Sequence, residues 1–443
     1  MDQDQLTHLY AEHLRALTQG YAQALRSAQY DAVVVHSGAP QQRTQFDDQY
    51  WTLRVTPHFQ HWLPLAEAEC ALVIEPGKRP TLLWNHDPSF WEQPAPPDSQ
   101  HWQAHFEIID ISNPDAAKSS LPSGRVAFIG DQRSRAADWG FDDADVSPKA
   151  LVEQLDQLRT KKSRYEVHCL AEANRRAAVG HAALRDAFLS GGASELELHL
   201  LYLRATQQDD PETPYKNIVA QGENAATLHH VSYRKTPLLG VGSQTLLVDA
   251  GATHLGYCSD ITRTYVNANG AAADAFAGLV AYVEKFQQHL CEAVVLGNKY
   301  EALHDRAHRE VGEALRAMAI SKLSVDEAVS SGITRAFFPH GLGHSLGLQC
   351  HDVGCALIKP RPDNPFLRHT STITEGQCFT IEPGIYFIPR LLDKVRQGPH
   401  ASAIDWKLVD ELAKLGGVRI EDDLVVVGGD HVTRNLTREV LPL

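Results

Sequence analysis

Residues 245–265 read TLLVDAGATHLGYCSDITRTY, and the reading of this stretch decides the fold. Its first part is an apolar run that stops at Asp249, a common way for a strand to present an acid at a sheet edge. In its second part Asp260, Thr262 and Thr264 share one face, because side chains along a strand alternate with period two. Gly251 and Gly256 lie between the two acids and suit a hairpin. Taken singly, Asp249 reads equally as a ligand or as a turn-capping acid before Gly251. Asp260 with its two threonines reads more readily as a solvated polar face.

Further runs of the same style surround this hairpin. NIVAQG precedes it, and CFTIEPGIYFI and GGVRIEDDLVVVG follow it. Between lie helical stretches rich in Ala, Leu, Arg and Glu, one from about residue 150 to 190 and one over 271–295. Helices early and strands late predict an α+β domain with an antiparallel sheet. Upstream, residues 5–27 carry Leu6, Tyr10, Leu14, Leu17, Tyr21 and Leu25 at helical spacing. DAVVVHSG, ECALVIEPG, RPTLLWN and RVAFIGD then read as strands, separated by polar or Pro-rich stretches such as EQPAPPDSQ. The N-terminal part is therefore expected to be an α/β domain with a mostly buried sheet, over 1–160, and the α+β domain to follow over 161–443.

The bulk numbers exclude several classes. With 443 residues, 43% hydrophobic and 22% charged, the chain has the make-up of a soluble globular protein of two or three domains. Its net charge of −14 argues against a nucleic-acid or anionic-membrane partner, since both need a basic footprint. The N-terminus lacks a basic segment followed by an apolar one, and no window is long and apolar enough to span a membrane. Seven dispersed cysteines without a CxxC pair fit reduced thiols, so a cytoplasmic protein is expected. Cys350 and Cys355 have poor spacing for a structural zinc site.

The chemistry-bearing residues form a pattern. PHGLGHSLGLQCHD (339–352) holds His340, His344 and His351 within twelve residues. Gly341 and Gly343 argue for a loop rather than a helix there. Each histidine alone reads equally as a satisfied core residue. Glu382 follows in FTIEPGIYF, sharing a face with Thr380. Glu421 follows in GGVRIEDDLVVV, with Arg419 on its side of the strand and Val418 and Ile420 on the other. A carboxylate inside an apolar strand is costly unless paired, and the plain reading pairs Glu421 with Arg419. Asp422 and Asp423 are expected to face solvent or the turn. Brought together, the four carboxylates would repel and raise each other's pKa. Two divalent cations remove that conflict, and an oxygen-rich set with one imidazole suits Mn²⁺, Co²⁺ or Zn²⁺.

These segments, in this order, resemble the "pita-bread" metalloenzymes, which include methionine aminopeptidase, aminopeptidase P, creatinase and prolidase. The metal ligands implied by that resemblance are Asp249, Asp260, His344, Glu382 and Glu421. LYAEH (9–13), HSG (36–38), QFDD (45–48) and TPYKNIVAQGENAATLHH (213–230) extend the likeness over nearly the whole chain to bacterial PepQ-like Xaa-Pro dipeptidases (prolidases), including relatives that hydrolyse organophosphates. The resemblance implies hydrolysis of the bond before a C-terminal proline by a hydroxide shared between two metal ions, with Mn²⁺ the expected ion and Co²⁺ or Zn²⁺ the alternatives. Asp249 would hold one ion, Asp260 and Glu421 would bridge both, and His344 and Glu382 would complete the second. Glu382 would also carry the proton to the leaving nitrogen. His340 and His351 would act on substrate, and His229, Tyr215 and Arg419 would line the pocket, Arg419 taking the C-terminal carboxylate. Asp48 would reach the site of a second copy, implying a homodimer. The chain departs from the family in FLRHTSTI (366–373), where Ser371 stands in place of a second arginine that helps hold the proline carboxylate. That departure makes an aminopeptidase P-like preference for longer substrates the alternative, with a non-catalytic pita-bread binding protein the remaining one.

Overall fold

A computed structural model of the chain describes residues 3–85, 101–267, 270–353, 355, 358–429 and 432–442; the stretch EQPAPPDSQ lies outside them. The chain divides into two compact units, residues 1–167 and 168–443.

In the first unit a helix spans Gln3–Ala28 and buries Tyr10, Leu14, Leu17, Tyr21 and Leu25, the apolar stripe expected from the spacing. Its sheet runs β4-β3-β2-β1-β5, with β1 Ala32–His36, β2 Ala71–Ile74, β3 Thr81–Asn85, β4 Glu107–Ile111 and β5 Val126–Ile129. β1 pairs antiparallel with β2 and parallel with β5, so the sheet is mixed. The central strands are apolar and buried. β4 (EIIDI) has no such signature: it is an edge strand that buries only Ile111, which is why periodicity alone does not find it. The long helical stretch after residue 148 is two helices, Lys149–Thr160 and Arg164–Ser190. The break lies where Ser163 and Glu166 cap the second helix reciprocally, the Ser163 N–H donating to Glu166 Oε2 at 2.8 Å.

The second unit is built around the hairpin. β6 Ile218–Gln221, β7 Thr245–Asp249 and β10 Thr262–Val266 form an antiparallel sheet of order β10-β7-β6. Thr262 and Ile218 both lie opposite Asp249 in the register. The connection carries a small hairpin, β8 Thr253–His254 and β9 Tyr257–Cys258, turned by Leu255 and Gly256 at φ 49° and 90°. Gly256 supplies without strain the left-handed backbone that a two-residue turn needs.

Neither of the two later strand-like runs is continuous. FTIEPGIYF splits into β11 Cys378–Ile381 and β12 Gly384–Tyr386, and GGVRIEDDLVVV splits into β13 Gly417–Arg419 and β14 Asp422–Val426. β11 and β14 pair with each other and β14 with β15 Thr433–Asn435, while β12 pairs with β13. Glu382 and Glu421 sit at the two interruptions, beside Pro383, which cannot donate to a ladder, and beside Ile420. A single bridge, Thr262 to Glu421, ties the hairpin sheet to this second sheet. Behind it the helices Ala271–Glu292 and Tyr300–Ala317 pack Phe276, Leu279, Val283 and Leu303 against Phe379, Ile381, Val418 and Leu424. Helices and antiparallel strands around one core give the α+β architecture expected.

Candidate metal centre

The carboxylate ends of these strands converge. Asp249 ends β7 and is 9% exposed. Its Oδ2 accepts from Arg419 Nη2 at 2.7 Å, while Oδ1 is buried with no hydrogen-bond partner. Burial raises its pKa; Arg419 opposes that and Asp260 adds to it. Asp260 precedes β10. Its Oδ1 accepts from the Tyr215 hydroxyl at 2.5 Å and its Oδ2 from the Cys350 thiol at 3.0 Å, with His344 Nε2 3.3 Å from the same Oδ2. Burial pushes this carboxyl up, but His344, Tyr215 and Cys350 together outweigh it and hold the group below its usual value.

The histidine segment is a loop, as the glycines imply. A Cβ at Gly343 would lie 2.2 Å from the Thr380 carbonyl oxygen, so only glycine lets the loop sit against β11. There the His344 N–H donates to Thr380 Oγ1 at 3.2 Å. His344 Nδ1 lies 3.1 Å from the Ser345 carbonyl and must donate to it, which turns Nε2 toward Asp260 and Glu382. With Nδ1–H so anchored, Nε2 is the nitrogen that would ligate an ion once it has given up its proton.

Glu382 Oε1 lies 3.7 Å from His344 Nε2, and Oε2 lies 3.6 Å from His340 Nδ1. Burial lifts its carboxyl to about 7, against the pull of His344 and Arg419. Glu421 is 2% exposed and accepts from the Thr262 hydroxyl at 2.7 Å. Burial, then Asp260, Glu382 and Asp249, hold its pKa well above the usual carboxylate range. Burial lowers His344, but Asp260 and Glu382 overcome that and raise it to about 9. Without a metal ion, the protonated imidazole is the cation these acids recruit.

These residues fit a pair of divalent ions. One carboxylate oxygen is buried without a partner, three carboxyls are driven toward the neutral form, and a histidine is aimed at them by its carbonyl contact. Ligand atoms of Asp260, His344 and Glu421 lie within 4.8 Å of one another. Donors ~2.0–2.3 Å from a common ion span no more than that.

The remaining expected residues divide. Tyr215 reaches Asp260 directly. His340 donates from Nδ1 to the Gly341 carbonyl at 2.8 Å and accepts at Nε2 from the Tyr386 hydroxyl at 2.7 Å. His351 is exposed and meets the His344 ring edge-on, with centroids 4.4 Å apart. His229 is exposed, and burial lowers the pKa of both His340 and His351. Its loop is anchored by Glu195, wholly buried, which accepts from His230 and from the Arg234 and Gln221 N–H groups. Asp48 belongs to the first unit, in an exposed loop where it accepts from Gln49.

Two expectations are corrected. Glu421 is not paired with Arg419: the guanidinium takes Asp249 at 2.7 Å, the Tyr386 hydroxyl at 3.0 Å and Thr262 Oγ1 at 3.2 Å. Asp422 and Asp423 do not face solvent; both are fully buried. Asp422 holds Arg263 and Arg438, at 2.8 and 2.7 Å. Asp423 accepts from the Asp260 N–H at 3.0 Å and from Asn174 at 2.8 Å, which fixes Asp260 from behind. Their side chains follow β14 inward, where burying a carboxylate is sustained only by such partners. Three contributors were not singled out as site residues. Tyr386 reads as core in an apolar strand. Asp423 looks like one more acid in a run. Cys350 stands out in the sequence only beside Cys355.

Comparison with known proteins agrees with this geometry. Residues 168–428 match the model of metallopeptidase family M24, and residues 8–157 match that of the Xaa-Pro dipeptidase N-terminal domain. The chain is 41% identical to the Xaa-Pro dipeptidase of Marinobacter nauticus, covering 99% of this chain and 100% of that one. It is 36% identical to the Aeromonas hydrophila Xaa-Pro dipeptidase, covering 98% of each. Two aminopeptidase structures share the fold. One is the aminopeptidase PepP of Pseudomonas aeruginosa (TM-score 0.72, 23% identity, 100% and 96% coverage). The other is zinc-substituted Escherichia coli aminopeptidase P (TM-score 0.69, 21% identity, 96% and 95% coverage).

Proposed function

The chain belongs to metallopeptidase family M24, and within that pita-bread family we propose that it is an Xaa-Pro dipeptidase working through the centre built on Asp260. The observation that carries the metal chemistry is the convergence of buried Asp249, Asp260, His344 and Glu421 with the half-buried Glu382; full-length likeness to Xaa-Pro dipeptidases carries the substrate. Two divalent ions bound there supply Lewis-acid polarisation and a water of lowered pKa. The chain's own residues do the rest. Glu382 is the proton carrier: its oxygens lie between His344 and His340, so one carboxylate faces both the ligand cluster and the substrate side. The leaving proline nitrogen is a secondary amine that departs only when protonated. Arg419 engages three of its five N–H groups with protein oxygens. The other two remain for the substrate carboxylate. His351, exposed beside His344, is placed to donate to the substrate carbonyl region, while His340, its two ring nitrogens taken by Gly341 and Tyr386, lines the approach with Tyr215 and His229.

The oxygen ligands Asp249, Asp260 and Glu421 suit Mn²⁺ at the first position. None of the seven cysteines is in a disulfide and six are buried, which fits a reducing, cytoplasmic setting. No helix among the described residues is long and apolar enough to cross a membrane. The loop holding Asp48 exposes Phe46 at 87%, Trp51 at 59% and Tyr50 at 56%, which favours burial of that loop against a second copy. A homodimer is thus expected, and sedimentation at the mass of one chain would overturn it.

The substrate assignment is tested with Mn²⁺-loaded protein given an Xaa-Pro dipeptide, an Xaa-Pro tripeptide and a phosphotriester. The dipeptide should be the best substrate by kcat/KM, with the phosphotriester at most a side reaction; failure to cleave any Xaa-Pro dipeptide would sink the reading. Ser371 favours a second reading. It is 7% exposed, and its hydroxyl is held by the Gln377 amide at 3.3 Å, so it offers no cation to a carboxylate. Tripeptide turnover equal to that of the dipeptide would support aminopeptidase-like breadth instead.

A further inference from the structure

Cys350 lies among the ligands without belonging to the set expected at the outset. Its Sγ is 3.0 Å from Asp260 Oδ2, the same oxygen that His344 Nε2 approaches to 3.3 Å. Ligand atoms of His344, Cys350 and His351 lie within 4.8 Å of one another. A sulfur ~2.3 Å and an imidazole nitrogen ~2.0 Å from one zinc-like ion stand no farther apart than that. Two observations independent of the thiol mark the centre as a cation site. Asp249 Oδ1, buried on the carboxylate that would hold the neighbouring ion, has no hydrogen-bond partner. His344 Nδ1 is taken by the Ser345 carbonyl, which leaves Nε2 as the nitrogen facing Asp260.

We propose that Cys350 is an additional protein donor to the ion at the His344 position, so that this centre pairs an oxygen-ligated site with a second site carrying a soft donor. The proposal rests on the metal-centre reading above. In the metal-free protein the thiol donates a hydrogen bond to Asp260. When the ion takes up the Asp260 oxygen, the thiol proton leaves to solvent and the sulfur lone pair binds the ion, with no change in oxidation state. Soft thiolate donors favour Zn²⁺ and Co²⁺ over Mn²⁺. The second position should therefore discriminate against Mn²⁺ more strongly than a site of carboxylates and imidazole alone.

The test replaces the ions of the chelated full chain with Co²⁺. Wild type should show a sulfur-to-cobalt charge-transfer band in the near ultraviolet, and X-ray absorption should place a sulfur ~2.3 Å from the metal. Both should vanish in Cys350→Ser. Competition titrations of Cys350→Val should show affinity for Co²⁺ and Zn²⁺ falling about tenfold or more, with Mn²⁺ affinity changed much less. Stoichiometric Co²⁺ binding with identical spectra in wild type and Cys350→Ser would overturn the role of Cys350 and leave the metal centre standing. Failure of the wild type to bind Co²⁺ would overturn the metal-centre reading and this proposal with it.

Discussion

Glu421→Gln is expected to lower kcat/KM toward Xaa-Pro dipeptides on the order of a thousandfold, about 4 kcal/mol of transition-state stabilisation. The substitution keeps size and shape, and a glutamine oxygen still accepts the Thr262 hydroxyl that now binds Glu421 at 2.7 Å. What it removes is the charge that two cations need. The same change should make the metal-free protein melt higher than wild type. Glu421 is a buried carboxylate whose pKa is raised by burial and by Asp260, Glu382 and Asp249, so its ionised form is a liability until cations arrive. The expected signature is thus opposed: activity and metal-induced stabilisation lost, metal-free melting temperature raised. Activity within tenfold of wild type at full metal loading would remove Glu421 from the centre.

Metal-free protein should lose stability as pH rises from about 5 to about 9, and saturating divalent metal should abolish that loss. Glu382 is raised to about 7 and Glu421 well above the usual range. A carboxyl whose folded pKa is raised stabilises the fold at pH values below its unfolded pKa, and that contribution disappears as pH climbs through the folded value. For Glu382 the difference is on the order of 3 kcal/mol. His344, raised to about 9, acts in the same direction: its contribution is complete below the unfolded value and is lost as pH passes about 9. Asp260, held low, contributes above its unfolded value and loses that only in acid, outside this window. Bound cations reverse the sign for the acids, because they favour the ionised ligands. At a thousandfold excess over Kd each independent ion adds about 4 kcal/mol. Calorimetric melts across this pH range, with chelator and with Mn²⁺, read the effect directly. A metal-free melting temperature that does not fall toward pH 9 would show that these carboxyls are not driven neutral.

The sequence by itself determined the family and pointed to the candidate ligands. Asp249, Asp260, His344, Glu382 and Glu421 stand in segments whose residue types cannot be exchanged without losing charge or donor chemistry, so short motifs are enough to find them. It also determined the helix over 3–28 and the central buried strands, because a long apolar stripe or a dense apolar run is a local signal. An edge strand such as β4, exposed on most of its length, leaves no such signal. Only the tertiary structure decided which charge meets which. Arg419 lies two residues from Glu421, yet it binds Asp249 from 170 positions away, because β12 and β13 turn its side chain across to the end of β7. Asp422 and Asp423 look like a solvated acidic run, yet they are buried by partners drawn from three other segments: Arg263, Arg438 and Asn174. Cys350 looks like a stray thiol until the glycine-tight loop lays it against Asp260. Ion pairs, burial and coordination depend on which strands lie opposite one another, and that pairing is a property of the closed fold rather than of any one stretch of chain.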